Sequence, residues 1–290
     1  MADDLGPVVQ SAILRSELVR LRRASEFTQY DVAHELGWPP TRLIRIEGGR
    51  SLISVADLDA LLDKYGVTAQ AERARLHTLN QAAWGLGWWN AYKNEVAIPY
   101  LEYVGYEAGA VFIRQYPGTV IPGLLQTSEY ADAITEPALQ DEGPARSVVS
   151  LRLQRQLELG RRSVPPRRYF ILDEGVIRRR VGIKRDPAIM PNQLRSIADV
   201  AETDENTTIR VIPFTADAHI GLTGPFTLLE FDGGLPDQLY LDTGQGERAR
   251  MSSGSPEVAE YADRFELLLD YALPESESPQ FLRAAADEMS

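Results

Sequence analysis

With 290 residues, of which 44% are hydrophobic, the chain is long enough for two cores and too apolar to be disordered. Its formal charge of −12 excludes a protein that coats nucleic acid unselectively, because phosphate contacts need a concentrated field of Lys and Arg. The lack of cysteine removes disulfides, thiolate catalysis and thiolate metal sites, and His34, His77 and His219 lie far apart, so neither a metal nor a cofactor is expected. There is no cationic start leading into an apolar stretch and no charge-free apolar run of about 18 residues, which predicts a cytoplasmic protein with no membrane contact. Charge is also sorted along the chain. Residues 11–50 carry seven basic and five acidic side chains, 146–185 carry twelve and three, and 186–290 carry six and twenty.

From Ser11 to Ala24, Ile13, Leu14, Leu18 and Leu21 recur at helical spacing among Arg15, Arg20, Arg22 and Arg23, predicting an amphipathic first helix. Thr28 with Asp31 three residues on has the form of a capping box, opening a second helix that buries Val32, Ala33 and Leu36 and stops at Gly37. Pro39-Pro40 then starts a third helix, which ends at Gly48-Gly49. Leu43 and Ile46 are three apart and face inward, which leaves Thr41, Arg42 and Arg45 on the outer face. An arginine fork suits guanine O6 and N7 in the major groove, and threonine offers a hydroxyl and a methyl; the alternative is an ordinary solvated helix face. Ser54 with Asp57 signals a fourth helix through Leu58, Leu61, Leu62 and Tyr65 to Gly66.

These residues, Leu18-x-x-Leu21-Arg22, Phe27-Thr28-Gln29-x-x-x-Ala33-x-x-Leu36-Gly37 and Leu43-x-x-Ile46-Glu47-x-Gly49-Arg50, resemble the lambda repressor and Cro-like (Xre-type) helix-turn-helix family. The resemblance implies that Thr41, Arg42 and Arg45 approach bases, that Gln29 and Arg50 hold phosphates, and that Arg22 pairs with Glu47 inside the domain. Two positions depart from the family: Pro40 replaces a common base-reading polar residue, and Gly48 replaces a polar phosphate contact. A domain so weakened calls for a second copy on an adjacent half-site, so a homodimer on double-stranded DNA is expected.

Ala69 to Gln81 reads as a further helix, followed by Trp84, Trp88 and Trp89, which read as junction packing in preference to a ligand-stacking box. Leu101, Val104, Ala108, Val111 and Phe112 recur at near-helical intervals over 99–116, predicting a helix. Helices are also expected from Thr127, over 145–159, over 188–203 and from Ser255-Pro256, with Ser255 as cap. Strands are expected at 168–172, 208–212, 226–231 and 238–241. The expected architecture is an all-α, five-helix N-terminal domain followed by a larger α+β domain. The boundaries are 1–68 for the helix-turn-helix, 69–95 for a helical connection and 96–290 for a partner-binding or sensor domain.

Trp88-Trp89, Tyr103-Val104-Gly105-x-Glu107, Val120-Ile121-Pro122-Gly123-Leu124-Leu125-Gln126-Thr127, Val211-Ile212-Pro213-Phe214 and Gly224-Pro225-Phe226-Thr227-Leu228 together resemble the actinobacterial regulators typified by WhiJ. That resemblance implies a C-terminal domain without enzymatic activity that senses a ligand or binds a small partner protein encoded nearby. An antitoxin-like role, sequestering the partner and autoregulating the operon, is the alternative.

No Gly-x-Ser-x-Gly, Walker-type loop, His-Glu-x-x-His or helix-opening Gly-x-Gly-x-x-Gly is present, so no catalytic residues are assigned. Asp173-Glu174 at a strand end and Asp217 with His219 are acid-base candidates that read better as solvated or capping groups. The run Arg178-Arg179-Arg180 with Lys184-Arg185 has three readings: pairing with this chain's own acidic C-terminal half, gripping an acidic protein partner, or holding a phosphate or flanking DNA.

Overall fold

In the computed structural model, which describes residues 5–137, 142–241 and 251–290, the chain divides into two compact units. The first comprises residues up to 90 together with 232–235, and the second comprises 91–231 with 236–290. Among its described residues the first unit holds five α-helices, α1 (Gly6–Ala24), α2 (Gln29–Glu35), α3 (Pro40–Glu47), α4 (Val55–Lys64) and α5 (Gln70–Ala83).

The apolar stripe of α1 buries Val9, Ile13, Leu14 and Leu18. α2 starts on a complete capping box, in which the Thr28 hydroxyl accepts from the Asp31 N–H and the Asp31 carboxylate accepts from the Thr28 N–H. It stops at Gly37, whose φ of 63° favours a residue without a Cβ. The Ser54 hydroxyl accepts from the Asp57 N–H at 3.1 Å and caps α4. Residues 69–95, read from sequence as a connection, contain α5, which packs along α1 within the first unit through buried Leu76, Leu79 and Ala83. Trp89, in a 3-10 turn over Trp88–Tyr92, is buried edge-on to Trp88. Trp84 is exposed, and its indole N–H donates to the Ile53 carbonyl at 3.1 Å.

The second unit contains α6 (Ile98–Glu107), β1 (Phe112–Tyr116), α7 (Ser128–Thr135), α8 (Glu142–Gly160), β2 (Arg167–Asp173), α9 (Glu174–Arg178), α10 (Ile189–Thr203), β3 (Thr207–Ile212), β4 (Phe226–Glu230), β5 (Gln238–Leu241), β6 (Met251–Ser253), α11 (Pro256–Leu269) and α12 (Ser278–Asp287). The strands form one sheet in the order β3-β2-β1-β4-β5-β6. β1, β2 and β3 run parallel, while β4, β5 and β6 add antiparallel pairs. The fold is therefore α+β.

Ile171, Phe226, Leu228 and Leu239 lie on the sheet face packed against Val258, Phe265 and Leu268 of α11. Phe170 and Leu172 alternate to the opposite face, in register with Ile209 and Val211. Where the sequence predicts one helix over 99–116, the helix ends at Glu107 and residues 112–116 form the central strand β1. Its pairing on both sides, with β2 and β4, outweighs the local helical spacing. Ser255 does begin α11, but its side chain makes no capping bond.

An ion pair is buried inside this unit. Arg155 donates through Nε and Nη2 to the two oxygens of Glu107, at 2.7 and 2.6 Å, and through Nη1 to the Tyr100 hydroxyl. Burial works against the Arg155 charge, but the Glu107 carboxylate outweighs it and holds the guanidinium well above its ordinary pKa. Among the described residues, no helix is long and apolar enough to cross a membrane, and no cluster of three His, Asp or Glu could hold a metal.

Candidate nucleic-acid interface

α3 is short and two-faced. Leu43 and Ile46 are buried beneath it, while Thr41, Arg42, Ile44, Arg45 and Gly48 are exposed. α3 is anchored at its C-terminal end. The Glu47 carboxylate accepts from Arg22 Nε at 2.7 Å, from Arg22 Nη2 at 3.0 Å and from Gln29 Nε2 at 2.7 Å. Arg22 also donates to the Phe27 carbonyl, and its hydrogen bond to Glu47 raises its pKa above the ordinary arginine value. One carboxylate thereby ties α1, the start of α2 and the end of α3 together. Tyr65 lies in the same electrostatic neighbourhood, where burial first, and then the Glu47 charge, pushes its phenol up.

Gly49 closes the helix with a φ of 73°, a backbone conformation that favours glycine, while the atoms nearest a Cβ there belong to the yielding end of the Arg15 side chain. The loop beyond it carries Arg50, exposed on the surface.

The three outward residues expected on α3 are not equivalent. Arg45 is exposed and its side chain makes no hydrogen bond or ion pair among the described residues, and the same holds for the Arg50 side chain. Thr41 is exposed in the first turn. Arg42 is engaged: its guanidinium lies 4.7 Å from the Trp38 ring centroid and donates to the Asp57 carboxylate at 2.5 Å. Gln29 is half-buried, with one amide N–H on Glu47, which leaves the second N–H of that amide for another acceptor. Sequence reasoning passed over Ile44, although placing Leu43 and Ile46 inward already puts position 44 outside; it is 48% exposed. The Asp57 contact to Arg42 has no local sequence signal, since it joins α3 to α4, whereas Trp38 lies only four residues before Arg42.

In the second unit, the basic run is largely consumed within the chain. Arg178 donates to Glu174 at 2.8 Å and pairs with Glu288, Arg180 donates to the Glu288 carbonyl, and Arg185 pairs with Glu136 at 3.1 Å. The hydrogen bond to Glu174 raises the Arg178 pKa. Arg179 and Lys184 are exposed, and their side chains make no hydrogen bond or ion pair among the described residues. Glu174 also accepts from the Phe214 N–H at 2.6 Å, and Asp173 accepts from the Gly175 N–H. The Asp217 carboxylate accepts from the Ala218 N–H, while buried His219 lies with Nε2 3.5 Å from Asp173. The candidate acids are thus mainly occupied with their own loops.

Residues 13–76, from within α1 to within α5, match the model of a helix-turn-helix domain, a DNA-binding module. No curated protein and no solved structure matches the chain. Residues 100–284, from within α6 to within α12 and including β1 to β6, match the model described as a domain of unknown function (DUF5753), and the chain belongs to that family, here joined to an N-terminal helix-turn-helix.

Proposed function

We propose that the protein is a sequence-specific DNA-binding transcriptional regulator that lays α3 in the major groove. One observation carries this reading: Arg45 stands exposed and unpaired on a helix whose opposite side is locked into the core by Leu43 and Ile46. Arg45 reads a guanine edge, Thr41 an adjacent base, and Gln29 and Arg50 hold phosphates on either side. Arg42, already bound to Asp57, contributes to shape and charge at the rim before it contributes to bases. A homodimer supplies the second half-site that a single eight-residue reading helix needs. Selection from randomised duplexes with the full chain should enrich a two-fold symmetric motif whose half-sites lie about one helical turn apart. Enrichment of no sequence would overturn the reading.

The second unit then receives a signal. Arg179 and Lys184 are the part of the basic run left for an acidic protein partner or a phosphate-bearing ligand. Replacing both by Glu should abolish co-purification of a stoichiometric partner while DNA binding stays intact. Recovery of the same partner with that variant would contradict this role.

A further inference from the structure

At about 100° per residue, Thr41, Arg45 and Gly48 form the ridge of α3 opposite Leu43 and Ile46, with Arg42 on one flank and Ile44 on the other. The two flanks differ in kind. The Arg42 flank is closed, its guanidinium spanning Trp38 and Asp57. The Ile44 flank is open and apolar: about half of the side chain faces solvent, one turn from Gly48, which carries no side chain to fill the space beside it. The core contacts of the helix come from Leu43 and Ile46, so the exposed half of Ile44 is apolar surface left to water in the free protein.

The major-groove edge of a base pair offers one apolar group, the 5-methyl of thymine. We propose that Ile44 is a specificity-determining residue that takes this methyl group beside the base read by Arg45. The inference rests on the DNA reading given above and adds its chemical preference. Arg45 and Thr41 supply polar selection along the ridge, while Ile44 separates T·A from C·G on the flank, because cytosine lacks the methyl.

The test uses the duplex that the wild-type full chain selects from a randomised library, resynthesised with deoxyuridine in place of each thymidine in turn. Removing the contacted methyl should weaken wild-type binding about four-fold at one thymine per half-site, the value of one buried methyl group. Ile44→Val, which keeps a branched apolar side chain, should retain that discrimination, and Ile44→Ser should bind thymine and uracil duplexes alike. Because Ile44 is exposed, both variants should melt with the wild-type protein. Wild-type protein indifferent to every uracil substitution, or Ile44→Ser with undiminished discrimination, would overturn the assignment while leaving the recognition role of α3 standing. Failure of the wild-type chain to select any duplex would remove both.

Discussion

Glu47, at the end of α3, accepts two hydrogen bonds from Arg22 of α1, and its side chain is only 4% exposed. The pair therefore fixes α3 to the scaffold through a nearly dry contact. Removing one partner strands the other charge, so Glu47→Ala should destabilise the first unit by about 3 kcal/mol, measured by urea unfolding. Replacing Arg22 and Glu47 together by Met and Leu should cost much less. A double change that costs as much as the Arg22 and Glu47 single changes added together would show that the two residues act independently.

The capping box at α2 gives a second, pH-dependent expectation. Thr28→Ala should cost about 1 kcal/mol through loss of the cap. Bonds from the Thr28 side chain and backbone hold the Asp31 carboxyl below its ordinary pKa. Its contribution is thus present above the unfolded-state pKa and fades as pH falls through the lower folded value. Acid titration of the wild-type chain should show this loss below about pH 4, and Thr28→Ala should show less of it. Parallel acid profiles for the two proteins would contradict the coupling.

The Arg155–Glu107 pair predicts a separation between the units. Glu107→Ala leaves a buried guanidinium without its partner and should destabilise the second unit by about 3–5 kcal/mol. Binding of a selected duplex under conditions where the protein stays folded should not change. A matching loss of DNA affinity in the folded variant would show that this buried pair bears on the interface.

Much of α2 and α3 was legible in the sequence, because their signals are local: Thr28 with Asp31, Gly37, Pro40, and the inward spacing of Leu43 and Ile46. β1 was not. Phe112 to Tyr116 continues an apolar rhythm begun at Leu101, and only its pairing with β2 and β4 makes it a strand. α12 opens on Ser278-Pro279, a recognisable start signal that the sequence reading did not use. The approach of His219 to Asp173, and the hold of Asp57 on Arg42, join residues from separate elements, which no spacing rule reports.

That hold on Arg42 can be released. Asp57→Asn removes a negative charge beside the interface and frees a guanidinium, so binding to any duplex should tighten and its salt dependence should steepen by about one phosphate contact. The change should not alter which sequence is selected. An unchanged salt slope would mean that Arg42 lies away from the DNA.

The claim that α3 reads bases is tested most directly by pairing one side chain with one atom. In the selected duplex, each guanine is replaced in turn by 7-deazaguanine, which lacks the N7 acceptor, and affinity is measured for the wild-type chain and for Arg45→Ala. One guanine per half-site should cost the wild-type protein about ten-fold, within the range of a lost fork contact, and cost Arg45→Ala nothing further. Equal losses in both proteins, or no sensitive guanine at all, would contradict the account.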